Sequence, residues 1–191
     1  MNLLLEPVIE FASSATCVVS IWLNTKRNSI GWPIGLVSVS LASWVYLSSG
    51  LFAECGLQVF YFISGIYGWW QWENGKTGDG SLEVNRIPVA SMWKSLVAGF
   101  SGFLLVYGFL TKYTVSSQPF LDSLITAFSI VAQIWLARRW LENWILWILI
   151  NLVSICLYVY KELWFFSGLY GILLLLAVKG YFDWKKGEKQ A

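Results

Sequence analysis

The stretch Arg138-Arg-Trp-Leu-Glu-Asn-Trp-Ile-Leu-Trp-Ile-Leu-Ile-Asn-Leu-Val-Ser-Ile-Cys-Leu-Tyr158 decides the fold. Read as a helix from Trp144, it places Trp144, Trp147, Asn151, Ser154 and Tyr158 at steps of three and four, on one face. The remaining positions are Ile, Leu, Val and Cys. The result is a helix that is apolar nearly all round, with one stripe that is aromatic and can hydrogen-bond. Six further segments of similar character make this an all-α membrane protein.

A span requires roughly 17–25 mostly apolar residues. Seven segments meet that length: Pro7–Asn24, Ile30–Leu47, Leu51–Trp72, Met92–Leu110, Phe120–Leu136, Asn143–Tyr160 and Leu163–Phe182. Short turns such as Thr25–Ser29 and Ser48–Gly50 join them. The one longer polar loop, Glu73–Pro88, is rich in Gly and charge. Composition agrees, with 57% hydrophobic, 18% aromatic and 13% charged residues. Soluble domains carry about twice that charge.

The basic residues orient the chain. With the N-terminus outside, Lys26, Arg27, Lys76, Arg86, Lys94, Arg138, Arg139, Lys179, Lys185, Lys186 and Lys189 all fall on the cytoplasmic side. Only Lys112 and Lys161 fall outside. Positive charge concentrates on cytoplasmic loops, so the chain is expected to run N-out and C-in. The first apolar segment lacks a basic flank and carries Ser13, Ser14 and Thr16. It therefore reads as a membrane helix and not a cleaved leader.

A shift of 112 residues aligns the two ends of the chain without a gap. Ala15 meets Ala127, Arg27 meets Arg139, Trp32 meets Trp144 and Tyr46 meets Tyr158; Gly56, Gly68 and Trp72 meet Gly168, Gly180 and Trp184. The pattern predicts two three-helix repeats, residues 1–72 and 116–191. A cytoplasmic loop and a linker helix occupy residues 73–115 between them. One helix between the blocks makes them parallel repeats, and the interface between such halves is where a solute binds. The expected fold is thus 3+1+3.

The stripe on the sixth helix is the leading candidate site. An Asn amide left unpaired in an apolar setting costs roughly 2–7 kcal/mol, so Asn151 faces another helix or a ligand. Trp144 and Trp147 offer electron-rich faces that attract a planar or cationic ring. The plainer alternative assigns Trp144 to the interfacial aromatic belt and Asn151 to helix–helix adhesion. The matching face of the first block is Trp32, Gly35, Val39, Ala42 and Tyr46, aromatic at its ends but small and apolar between them. On the third helix Gln58, Tyr61, Gly65, Gly68 and Trp72 share a face. Gln58, like Gln133 on the fifth helix, serves either a ligand or a neighbouring helix. Gly65 and Gly68 read as close-packing positions.

Several classes of chemistry are disfavoured. The chain has no His, which removes the commonest general base and metal ligand. Cys17, Cys55 and Cys156 have no paired spacing and read as small buried side chains. Glu6, Glu10, Glu54, Asp122, Glu142 and Glu162 all lie near helix ends, leaving no mid-membrane carboxylate for a proton path. An intramembrane enzyme would need a nucleophile with a base or a carboxylate pair, and neither is visible. A scaffold would have no use for a polar aromatic stripe. No metal, cofactor or nucleic acid is expected. The expected activity is transport without a buried proton carrier.

The sequence resembles the PnuC family of bacterial vitamin transporters, full-length relatives of the SWEET sugar carriers. The resemblance covers most of the chain. It is carried by Gly56-Leu-Gln-Val-Phe-Tyr-Phe, by Ile66-Tyr-Gly-Trp-Trp-Gln-Trp72 and by the Glu-Asn-Trp-x-x-Trp-x-x-x-Asn run from Glu142 through Asn143 to Asn151. It implies a 3+1+3 fold in the bacterial inner membrane and uptake of nicotinamide riboside by facilitated diffusion, with trapping by cytoplasmic phosphorylation. It also implies that Gln58, Trp144, Trp147 and Asn151 approach the vitamin, and that the protein is a homo-oligomer, a trimer. Ser38 stands where nicotinamide riboside carriers often have Asn. Thiamine and riboflavin carriers share the fold, and thiamine, with a cationic ring and a planar pyrimidine, is the rival substrate.

Overall fold

A computed structural model describes residues 5–48, 52–78, 80, 82–114 and 117–188. Among these residues the regular structure is helical: α1 Leu5–Thr25, α2 Gly31–Ser48, α3 Phe52–Glu73, α4 Val89–Tyr113, α5 Pro119–Ala137, α6 Asn143–Tyr160 and α7 Trp164–Glu188. Each coincides with a predicted segment. The α6 bounds agree to the residue, whereas α4 and α7 extend beyond their apolar windows into charged sequence. The predicted turn at Ser48–Gly50 and the first residue of the third span, Leu51, fall partly or wholly outside the described residues.

Six of the helices are long and apolar enough to cross a membrane; α3 is not among them. The third predicted span, Leu51–Trp72, is corrected to that extent: among the described residues α3 does not reach the hydropathy of a membrane span. Its second half, Ser64–Glu73, is rich in Gly, Tyr and Trp and carries Ser64, Gln71 and Glu73, which contribute little hydropathy.

Three helices end in the same way, and none of the three uses glycine. Arg27, Arg139 and Glu162 adopt left-handed φ values of 57°, 59° and 58°. After α1, Arg27 N–H donates to Asn24 O and Asn28 N–H to Leu23 O, both at 3.0 Å. After α5, Arg139 N–H donates to Leu136 O at 2.9 Å and Trp140 N–H to Trp135 O at 3.0 Å. These are Schellman caps, which satisfy the last carbonyls of a helix. A β-carbon in this conformation costs roughly 1–2 kcal/mol, so the cap bonds and surrounding packing must hold it. The next helices also start alike: Trp32 N–H reaches Ser29 O, and Trp144 N–H reaches Leu141 O. The α1–α2 and α5–α6 turns are therefore one turn, written twice at an offset of 112 residues.

The chain forms two compact units, Met1–Glu83 with Phe182–Ala191, and Val84–Tyr181. In the first, α1 and α2 are stitched by reciprocal bonds: Ser13 Oγ donates to Ser38 O at 3.0 Å, and Ser38 Oγ to Ser13 O at 2.8 Å. Ser20 Oγ donates to Gly31 O at 2.7 Å. Trp32, Trp72 and Trp184 form a buried cluster, with ring centroids 5.5 Å apart for the first pair and 5.9 Å for the second. Trp184 Nε1 donates to Asn24 O at 3.1 Å, so the last turns of α7 are held by the first unit. In the second unit, Trp135 Nε1 donates to Ser95 Oγ at 3.0 Å, joining α5 to α4. Lys161 Nζ lies 3.1 Å from Asp122 Oδ1, which ties the end of α6 to the start of α5.

Candidate functional site

The site is built on α6, whose stripe differs in character from end to end. At its start Asn143 is fully buried, and its Nδ2 donates to Trp140 O at 2.6 Å. Trp144 is 1% exposed, with Gly180 of α7 so close that an added Cβ would stand 2.6 Å from Trp144 Cε2. An enclosed ring does not belong to a lipid-facing belt. At the other end, Tyr158 stacks on Phe166 and Tyr170 with centroids 5.5 and 5.1 Å away. Both ends of the stripe are thus fixed by packing.

The middle of the stripe is unsatisfied. Asn151 and Ser154 are buried. Trp147 is half-buried, yet its Nε1 is enclosed without a hydrogen-bond partner, as is Ser154 Oγ. Asn143 Oδ1 is similarly unpartnered at the start of the helix. Each such group costs about 1–3 kcal/mol when nothing meets it. Two donors flank the Asn151 amide on a single helical face, a surface that offers hydrogen bonds inside an apolar protein.

The equivalent face of α2 is used differently. Trp32 is buried against Gly68 and Trp72, as Trp144 is against Gly180. Gly35 lies where an added Cβ would be 2.8 Å from Ser20 Oγ, so this position serves close helix contact. The residues named from the sequence therefore divide between the two units. Asn143, Trp144, Trp147, Asn151, Ser154, Tyr158 and a half-buried Gln133 lie in the second, while Trp32 and half-buried Gln58 and Tyr61 lie in the first.

Residues 7–186 match the profile of the nicotinamide mononucleotide transporter family. The chain belongs to that family. It is therefore a multi-pass membrane protein of a transporter family, as the PnuC resemblance implied. It is 27% identical over 207 residues to the nicotinamide riboside transporter PnuC of Escherichia coli, covering 95% of this chain and 87% of the relative. It is 28% identical over 170 residues to the riboflavin/roseoflavin transporter RibM of Streptomyces davaonensis, covering 87% and 79%. The crystal structure of the vitamin B3 transporter PnuC shares the fold, with a TM-score of 0.77 and 24% identity over 95% of this chain and 82% of that one.

One part of the family's Glu-Asn-Trp run has a role that the sequence reading missed. Glu142 anchors the polar loop: its Oε2 accepts from Ile87 N–H at 3.0 Å, and its Oε1 from Arg86 Nη1 at 3.4 Å. Asn85 N–H donates to Arg139 O, and Leu141 N–H to Asn85 O. Leu82, 4% exposed, offers its carbonyl to Arg27 Nη1 at 3.3 Å. Within the first unit Leu82 docks on the α1–α2 turn, and within the second Asn85, Arg86 and Ile87 dock on the α5–α6 turn. Two apolar residues in its charged sequence, Leu82 and Ile87, were the available signal. At the end of α3, Glu73 accepts from Lys76 and from Ser29 Oγ, and these bonds, Lys76 first, hold its carboxyl below its ordinary pKa.

Proposed function

We propose that this protein takes up a vitamin across the bacterial inner membrane by facilitated diffusion. Nicotinamide riboside is the first candidate substrate. The observation that carries the reading is the centre of α6: Trp147 Nε1 and Ser154 Oγ, enclosed and unpartnered, on either side of buried Asn151. A flat ligand that hydrogen-bonds to Trp147 Nε1 and Ser154 Oγ would satisfy groups that the protein leaves open, and buried Asn151 between them offers an amide partner. Trp144 and Gln58 join the binding set on the strength of the resemblance. Trp32, Asn143, Tyr158, Tyr61 and Gln133 are proposed as lining or supporting residues.

The proposed architecture is a pair of parallel three-helix repeats, α1–α3 and α5–α7, joined by α4, working by alternating access. The matched turns at Arg27 and Arg139 and the matched Trp–Gly contacts support it. An N-out, C-in orientation follows from the basic residues. Uptake becomes net accumulation when a cytoplasmic kinase phosphorylates the vitamin. Assembly as a homotrimer belongs to the same proposal.

Riboflavin is the second substrate reading, favoured by the likeness to RibM. It shares with nicotinamide riboside a planar ring on a hydroxylated five-carbon chain. Counterflow in liposomes containing the purified protein tests the reading. Saturable exchange of labelled nicotinamide riboside or riboflavin without an ion gradient is expected. Exchange of thiamine alone would replace the substrate, and no exchange of any of the three would refute the function.

A further inference from the structure

Ser154 is fully buried on α6, and its Oγ has no hydrogen-bond partner among the described residues. Several other helical serines behave differently. Ser43 donates to Val39 O, Ser95 to Ser91 O and Ser123 to Pro119 O, each back onto its own helix. That bond is open to any helical serine whose side chain turns toward the preceding carbonyl. Ser154 forgoes it.

The repeat supplies a control for what folding requires at this position. One repeat earlier the residue is Ala42, and Trp147 and Asn151 correspond to Gly35 and Val39. Packing of the second helix in a block needs no hydroxyl there. The polar groups at 147, 151 and 154 are present in one block only. Trp147 and Ser154 are seven residues apart, about 10 Å along the helix axis. That is the scale of a ring carrying a substituent, and more than a bare six-membered ring spans.

Resting on the reading of α6 as the vitamin-binding surface, we infer that Ser154 is the specificity-determining residue for the hydroxylated chain of the ligand. With the ring against Trp147, Ser154 Oγ meets a hydroxyl of the pentose or ribityl chain. Both groups donate and accept, so the bond forms in either direction. A site arranged around a ligand hydroxyl rejects an analogue without it, because its own buried group is then left unpaired. The ligand class is an aromatic base on a hydroxylated five-carbon chain.

Titration calorimetry on the purified full chain tests this, using nicotinamide riboside with nicotinamide, and riboflavin with lumichrome, as chain-bearing and ring-only pairs. Ser154→Ala is expected to weaken binding of the chain-bearing vitamin by about tenfold. The ring-only compound should behave alike in wild type and variant, and the ligand-free melting temperature should not fall, as Ala42 implies. Wild-type affinity in Ser154→Ala, with affinity reduced about tenfold in Asn151→Ala, overturns the inference and leaves the proposed function standing. A fall in melting temperature in parallel with affinity, or equal losses for both members of a pair, makes Ser154 structural and also overturns it. If the wild type binds neither chain-bearing vitamin, the inference and the function fall together.

Discussion

Gly180 lies directly against the indole of Trp144, with no room for a side chain between them. The pair Gly68 and Trp32, 112 residues earlier, makes the same contact more tightly still. A Trp at the start of the second helix of each block thus needs a Gly on the third, because only a bare backbone lets the ring lie flat against it. Leu at either glycine must push the ring or the helix aside, and overpacking of this kind costs about 1–3 kcal/mol or more. Gly68→Leu and Gly180→Leu are each expected to lower the melting temperature and the yield of folded protein in detergent. Ligand affinity of the surviving folded fraction should change less. Wild-type melting temperatures in both variants would show that the contact is not needed.

Trp147 and Asn151 should show the opposite balance. Trp147 is half-buried with an unpartnered Nε1, so its removal forfeits little internal hydrogen bonding. Loss of ring stacking costs about 0.5–1.5 kcal/mol, and loss of a hydrogen bond to ligand about as much again. Trp147→Ala is expected to weaken vitamin binding by roughly ten- to a hundredfold on that reckoning. Asn151→Ala should do so by about tenfold. Ligand-induced thermal shift, compared with expression level, separates these effects from misfolding.

The sequence displayed the helices more fully than the turns. Apolar length located all seven helices, because a bilayer demands an unbroken run and six of the described helices meet that demand. It placed α3 among the spans on length, although aromatic and amide side chains lower its hydropathy. The left-handed caps at Arg27 and Arg139 were illegible locally, since neither is Gly or Asn, the usual markers of that conformation. Only the repeat register hinted that the two arginines were equivalent. In the site, the α6 stripe was readable from spacing. Which of its polar atoms lack partners was not, because that depends on side-chain rotamers and on neighbours distant in sequence. The docking of Leu82 and Ile87 was obscured in the same way by the charge around them.

Glu73 gives the α3 terminus a pH dependence. Hydrogen bonds from Lys76 and Ser29 lower its pKa from 4.5. A depressed carboxylate contributes stability that is present above the unfolded-state pKa and is lost as pH falls through the folded-state value. The wild type should therefore lose thermal stability relative to Glu73→Gln as pH drops below about 4.5, while the two run parallel at neutral pH. The difference should be small and should shrink in high salt, because the side chain is 44% exposed and its pairing is screened. A wild type and variant that stay parallel down to pH 3, an acid limit set by the ordinary carboxylate range, would dismiss the effect.

Glu142 should control the accessibility of the polar loop. Its carboxylate takes the Ile87 N–H and the Arg86 guanidinium while only 18% exposed. The charge-assisted bond from Ile87 N–H contributes about 1.5–3 kcal/mol, whereas the 3.4 Å pairing with exposed Arg86 adds about 0–1 kcal/mol. Glu142→Ala is expected to free the chain around Arg86, so that trypsin cleaves after Arg86 faster than in the wild type. Glu142→Gln retains one carbonyl acceptor and should fall between them. Equal cleavage rates in all three would show that the loop is held by Leu82 and Asn85 without it.

Trp184 ties the C-terminal end of α7 to α1. Its ring is fully buried beside Trp72, and its Nε1 donates to Asn24 O, the carbonyl that also accepts Arg27 N–H in the left-handed cap. Trp184→Phe keeps an aromatic ring beside Trp72 but leaves the second lone pair of that carbonyl without its donor, and it opens a small void. The two losses together should cost about 2–4 kcal/mol, read as a lower melting temperature in detergent. The bond closes a loop of 160 residues between Asn24 and Trp184, so its loss should also loosen the chain terminus. Carboxypeptidase digestion should then proceed further into α7 in the variant than in the wild type. If melting temperature and digestion are both unchanged, the burial of Trp184 is incidental to the fold and the α7 terminus is held by other contacts, Arg27 against Gly187 foremost.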